Sequence, residues 1–163
     1  MARKTAIRIR LPLALLAAAG SGALLLAALF FQYGMGMAPC ALCYWQRWPH
    51  LAALVWGGAL LALPGGLSGR VLVLLGAGAA ATSGWIGVYH TGVERGWFKG
   101  PSGCSAGFDM SSLSAEELLE RVLAAPVVRC DEVPWELLGL SMASWNALAS
   151  FALAGLWLAA LRR

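Results

Sequence analysis

Four long stretches, residues 11–31, 41–63, 71–92 and 137–161, hold almost no charge, and they constrain the fold of this chain more than anything else in it. A hydrocarbon core of about 30 Å takes roughly 20 apolar residues of helix to cross, and each stretch reaches that length. Backbone polar groups in lipid must bond within the protein, which leaves helices or a closed barrel. The stretches lack the apolar/polar alternation of barrel strands, so helices are expected. The predicted fold class is an all-α membrane protein, a single integral domain built as a bundle of four transmembrane helices. Composition agrees: 60% of the 163 residues are hydrophobic and 12% charged, with a mean hydropathy of +0.70, whereas charged residues make up about a quarter of a soluble domain.

The few charges orient the bundle. Arg3, Lys4, Arg8 and Arg10 precede the first stretch, Arg70 lies between the second and third, and Arg162 and Arg163 close the chain. All fall on one side of a four-span topology, which the positive-inside rule makes cytoplasmic. The opposite side receives a short loop, residues 32–39, and a long one, about 93–136, that holds all eight acids. A cleavable leader has an apolar core of about 7–15 residues. The first stretch has 21, so a retained helix is expected. Within the long loop Ser114-Ala115-Glu116-Glu117 reads as a capping box opening a short amphipathic helix. Leu118, Leu119, Val122 and Leu123 give that helix an apolar face, expected on the membrane surface, and Pro126 ends it. The pI near 9.2 does not indicate nucleic acid, because the basic residues sit at termini and turns without interleaved aromatics. The expected environment is the lipid bilayer.

Chemistry is concentrated in the cysteines. Cys40, Cys43, Cys104 and Cys130 all lie at or beyond the non-cytoplasmic edge, which implies an oxidising compartment. A Cys-x-x-Cys such as Cys40-Ala41-Leu42-Cys43 can close a small disulfide, supply half a metal site or act as a dithiol. The short spacing makes Cys40–Cys43 with Cys104–Cys130 the economical pairing, although an interloop Cys40–Cys130 bond is equally legal. Two ordinary structural bridges would also fit the pattern. A four-thiolate zinc site usually needs two Cys-x-x-Cys units, and the second pair here is widely split, so no metal is expected. Arg47 shifts the balance toward catalysis: it lies four residues after Cys43, one helical turn along on the same face. A guanidinium there favours the Cys43 thiolate and can bond an oxygen of a bound molecule. His90, at the outer end of the third stretch and level with the opening of the second, is either an interfacial histidine with satisfied hydrogen bonds or a functional neighbour of that site, and His50 reads as a packing or polar-contact residue.

The ordered motifs Pro39-Cys40-Ala41-Leu42-Cys43 with Gln46-Arg47, Tyr89-His90-Thr91-Gly92 with Glu94 and Gly96, Gly100-Pro101-Ser102-Gly103-Cys104, Cys130-Asp131 with Trp135, and Leu138-Gly139-Leu140-Ser141-Met142 with Trp145 together resemble the bacterial disulfide bond formation protein B (DsbB) family. The resemblance covers the chain from about residue 24 onward. It implies a quinone-linked protein-disulfide oxidoreductase of the bacterial inner membrane, with both termini cytoplasmic and both loops periplasmic. Such an enzyme reoxidises a periplasmic DsbA-like thiol oxidase and passes the electrons to ubiquinone or menaquinone. By the same motifs the Cys104–Cys130 disulfide is attacked by the reduced partner, Cys104 forming the mixed disulfide. Cys130 then attacks Cys40 and releases Cys43 beside the quinone, where Arg47, and more weakly His90, bind. Gln46, where an acid can occur, and a shorter C-terminal tail depart from the family pattern. Two other readings are a vitamin K epoxide reductase-like enzyme, whose redox motif lies late in its bundle, and a membrane scaffold with two structural disulfides.

Overall fold

The computed structural model describes residues 9–101, 114–116, 119 and 128–161. Four long helices dominate it: α1 (Leu11–Leu29), α2 (Ala41–Ala62), α3 (Gly66–Glu94) and α4 (Met142–Ala159). A π-helical turn, Phe30–Gly34, extends α1. Three segments, Leu11–Gly34, Gly66–Glu94 and Met142–Ala159, are long and apolar enough to cross a membrane. Helix α2 has the length, at 22 residues, but Gln46, Arg47, Pro49 and His50 make its first half polar.

Local chemistry sets where the helices begin, and at two places the expected boundaries move. The backbone of Gly65 is extended (φ −131°, ψ 174°) and α3 starts directly after it, so Arg70 lies in the opening turns of the helix and not in the connecting turn. Residues 136–141, most of them expected to open the last span, form a small antiparallel hairpin, with β1 (Glu136–Leu137) paired to β2 (Leu140–Ser141). Its two-residue turn has Leu138 at φ 55° and Gly139 at φ 74°, the left-handed pair that matches strand twist in tight hairpins. Ser141 then caps α4, its hydroxyl accepting the Ser144 N–H at 3.2 Å. Cys40 caps α2 in the same way, its sulfur accepting the Cys43 N–H at 3.3 Å. Pro39 therefore stands one residue before the cap. Of the short helix expected between Ser114 and Pro126, Ala115, Glu116 and Leu119 are helical, and the remainder lies outside the described residues.

Apolar burial does not hold helices together in lipid, so association depends on close packing and buried hydrogen bonds. Small residues supply the packing. Gly57 on α2 lies against Ala18 of α1, and Gly76 on α3 makes room for the Trp157 indole of α4, which is fully buried among Ala77, Ala80 and Leu60. The Arg10 N–H donates to the Ala160 carbonyl at 2.8 Å, joining the start of α1 to the end of α4 at one end of the bundle. At the other end a smaller core gathers Cys40, Leu42, Val93 and Cys130.

Candidate redox site

Two sulfurs open α2. As the helix cap and the third residue of the helix, Cys40 and Cys43 are brought to 3.1 Å between sulfurs, and both are free thiols. A disulfide bond is about 2.05 Å, so the economical Cys40–Cys43 pairing is not the state of these residues here. The Cys40 thiol donates to Cys43. That bond, and burial after it, push the Cys40 thiol far above its ordinary range, so Cys40 keeps its proton.

Cys130 is disulfide-bonded and completely buried; Cys104 lies outside the described residues. The Cys130 sulfur, the Cys40 sulfur and a ring nitrogen of His90 lie within 4.8 Å of one another. The loop cysteine and the helix cysteine thus stand nearly in reach of exchange, although 90 residues separate them in sequence. The same three atoms could be arranged for a metal, but a sulfur already in a disulfide is not the thiolate ligand that zinc takes.

His90, 4% exposed on α3, contacts the side chains of Cys40, Glu94 and Gln46 and the backbone of Cys130. Its Nε2 lies 3.6 Å from the Cys40 sulfur and 3.9 Å from Glu94 Oε1, and its Nδ1 lies 2.9 Å from Gln46 Nε2. His90 therefore stands beside Cys40. Glu94, one turn further along α3, accepts a short hydrogen bond from the Ser141 hydroxyl, which ties α3 to the cap of α4.

Arg47 follows Cys43 by one turn on α2 and borders the same cavity. Its Nη1 donates to Gln32 Oε1 at 2.5 Å and its Nη2 to the Ala28 carbonyl at 3.4 Å, and the guanidinium stacks over Tyr44 at 5.1 Å. The cavity, of about 430 Å³, is walled by Leu24, Ala28 and Phe31 on the α1 side. Cys40, Cys43, Arg47 and His90 also line it, so the sulfurs that would react open onto an apolar space with a cation at its edge.

The sequence pattern did not reveal how these parts are joined. Gln46, Ser83, Asn146, His50, Ser150 and Ser21 form a buried hydrogen-bonded chain through the middle of the bundle. His50 has the polar-contact role read for it, between Ser21 at 3.2 Å and Asn146 at 3.0 Å. A usable signal did exist. Gln46 and His50, Asn146 and Ser150, and His90 and Glu94 are each four residues apart, so each pair shares one helix face. Polar side chains at membrane depth are expensive and face the interior of a bundle.

A family model described as disulfide bond formation protein DsbB matches residues 10–160. Proteins described as disulfide bond formation protein B are similar over much of the chain. That of Methylococcus capsulatus is 39% identical over 129 residues, covering 76% of each chain. That of Shewanella frigidimarina is 37% identical over 141 residues, 82% of this chain and 79% of its own. That of Pasteurella multocida is 34% identical over 129 residues, 77% of this chain and 71% of its own. No solved structure matches. With two free thiols, a buried and disulfide-bonded Cys130 and an apolar cavity at one end of a helical bundle among its described residues, the chain belongs to the disulfide bond formation protein DsbB family.

Proposed function

We propose that this protein is an inner-membrane thiol oxidase that reoxidises a periplasmic DsbA-like dithiol protein and delivers the electron pair to a membrane quinone, ubiquinone or menaquinone. One observation carries the reading: the sulfur of disulfide-bonded Cys130 lies within 4.8 Å of Cys40, whose own neighbour Cys43 borders an apolar cavity beside Arg47. Helix α2 is the fourth span, its polar first half facing that cavity. The bond between Arg10 and Ala160 supports placing both termini on one side, the cytoplasmic one.

The relay begins with a partner thiolate attacking Cys104 of a Cys104–Cys130 disulfide; a mixed disulfide forms and Cys130 leaves as thiolate. Cys130 then attacks Cys40 of the oxidised Cys40–Cys43 pair, forming a Cys40–Cys130 bond and releasing Cys43 as thiolate. The partner's second thiolate displaces Cys104 and departs oxidised. Cys104 attacks Cys130, restoring the loop disulfide and leaving Cys40 with the electron pair. Disulfide exchange of this kind proceeds fastest when the departing sulfur is a stabilised thiolate. The free Cys40 and Cys43 beside a disulfide-bonded Cys130 match the state that follows this step.

The residues fit a quinone: Leu24, Ala28 and Phe31 would hold the ring and tail, and Arg47 would donate to a ring oxygen. The quinone supplies an acceptor for two electrons and two protons. Cys43 would face the bound acceptor as the thiolate, and Cys40 would bond to Cys43 as the two electrons leave to that acceptor, so that the pair returns to the disulfide. The protons lost by the partner dithiol equal those gained by the acceptor. The test is quinone reduction by purified protein with a reduced DsbA-like dithiol. Cys43→Ser should abolish it, and retained activity would end the reading. A scaffold would instead show cysteines that are inert to both reagents.

A further inference from the structure

His90 touches Cys40, and the protein determines which of its nitrogens carries the proton. Two backbone carbonyls, which can only accept, set the direction of the buried chain. The Leu42 carbonyl lies 3.0 Å from one end of the Gln46 amide, so that end is the NH2 group. The same NH2 lies 2.9 Å from His90 Nδ1, which is then an acceptor without a proton. The Gln46 oxygen faces the Asn146 amide at 2.8 Å and accepts from its NH2.

The second carbonyl, that of Gln46, receives the Ser83 hydroxyl at 3.0 Å, so Ser83 accepts from Asn146 Nδ2 at 3.1 Å. The Asn146 oxygen then accepts from His50 Nε2 at 3.0 Å. Turning the Gln46 amide over would set oxygen against the Leu42 oxygen and NH2 against the Asn146 NH2, and turning Asn146 over would set its oxygen against the Gln46 oxygen and leave Ser83 without a donor. Protonating His90 at Nδ1 would oppose two N–H groups. The arrangement that suits both carbonyls leaves the His90 proton on Nε2, beside Cys40 and, further away, Glu94, and His90 also meets the Cys130 backbone.

We propose that Gln46, held in orientation by Asn146, is a positioning residue that keeps His90 neutral and protonated on Nε2, so that the Cys40 sulfur meets a hydrogen-bond donor and never a base. The role rests on the relay proposed above. When Cys104 attacks Cys130, the new bond joins those two sulfurs, the Cys40–Cys130 bond breaks, and its electron pair stays on Cys40. Two N–H groups then receive that charge, the Cys43 backbone at 3.3 Å and His90 Nε2 at 3.6 Å, without giving up a proton. A base at the same place would compete for the Cys40 proton, which in the reduced pair is shared with Cys43.

The experiment is nitrogen NMR of the histidine-labelled full-length protein in lipid or detergent at neutral pH, where His50 and His90 are the two histidines. His50→Gln separates their signals. His90 should carry its proton on Nε2 in the unsubstituted protein. In Gln46→Glu, a carboxylate beside Nδ1 should move the proton to Nδ1. In Asn146→Leu, with the Gln46 amide released, both tautomers should appear. Exchange at Cys40, followed without quinone by alkylation and mass spectrometry, should slow roughly ten- to a hundredfold in Gln46→Glu, the effect of losing one hydrogen bond to a charged sulfur. An Nδ1 proton or an imidazolium in the unsubstituted protein overturns the proposal, with no variant required. So does an unchanged tautomer in Gln46→Glu, or an unchanged exchange rate when the tautomer has moved. Failure of the relay itself would appear separately, as absent quinone reduction by unsubstituted protein whose His90 is protonated on Nε2.

Discussion

Gly87 lies where α3 meets α4, between Ser83 and His90 on α3 and opposite Ala143 and Ala147. A Cβ at this position would stand 3.0 Å from the Ala143 carbonyl oxygen and 3.1 Å from both the Ala147 Cβ and the Ala147 backbone nitrogen. None of these atoms can rotate away. Unstrained contacts of carbon are about 3.5–4.0 Å, so Gly87→Ala has to part the helices by roughly 0.5 Å. The same seam carries Asn146 to Ser83 at 3.1 Å and Thr91 to Ser144 at 3.0 Å. An opening of that size takes both to the limit of hydrogen bonding. Overpacking costs about 1–3 kcal/mol and each interhelical bond in a membrane about 0.6 kcal/mol, so the variant should lose about 2–4 kcal/mol. Gly155→Ala on α4 is the control: nothing lies within 4 Å of its Cβ, and better helix propensity should stabilise it by about 0.5–1 kcal/mol. Reversible unfolding in mixed micelles, read by tryptophan fluorescence, compares the two. A Gly87→Ala protein as stable as the parent, or a Gly155→Ala protein equally damaged, would refute the assignment of this seam as the close contact that holds the redox end together.

Further outcomes follow from the same geometry. N-Ethylmaleimide should label Cys43, which is partly exposed, before buried Cys40, and peptide mass spectrometry of partial reactions gives the order. Ser21→Ala removes a partner of His50 and should cost about 0.6 kcal/mol in the same unfolding assay, with activity nearly unchanged; a loss of several kcal/mol would mean that the buried chain acts as one unit. Beside Cys130, Arg129 donates to both carboxylate oxygens of Asp131 at 2.9 and 2.7 Å, which lowers the Asp131 pKa from its ordinary 3.8. The pair therefore forms above that lowered value and is lost only as pH falls through it. Carbon NMR should find an Asp131 midpoint below 3.8 that returns to it in Arg129→Ala.

The uncharged stretches by themselves determined that this chain is helical and suited to a membrane, because lipid leaves an apolar run no other way to bond its backbone. They also put Cys40, Cys43 and Cys130 toward one edge, since spans of fixed length alternate sides. The ordered motifs carried the family. Boundaries that depend on local capping were less legible: Leu138-Gly139 reads as part of a span until its left-handed turn is seen, and Arg70 reads as a turn residue until Gly65 is seen to open the helix. Only the tertiary structure decided that Cys130 comes beside Cys40 and His90, and that Gln46, an apparent departure from the family pattern, is the donor to His90. The physical reason is that contacts across a bundle depend on the rotation of each helix about its axis. That rotation is set by small residues such as Gly57, Gly76 and Gly87 meeting particular partners, and a spacing along one chain segment does not encode it.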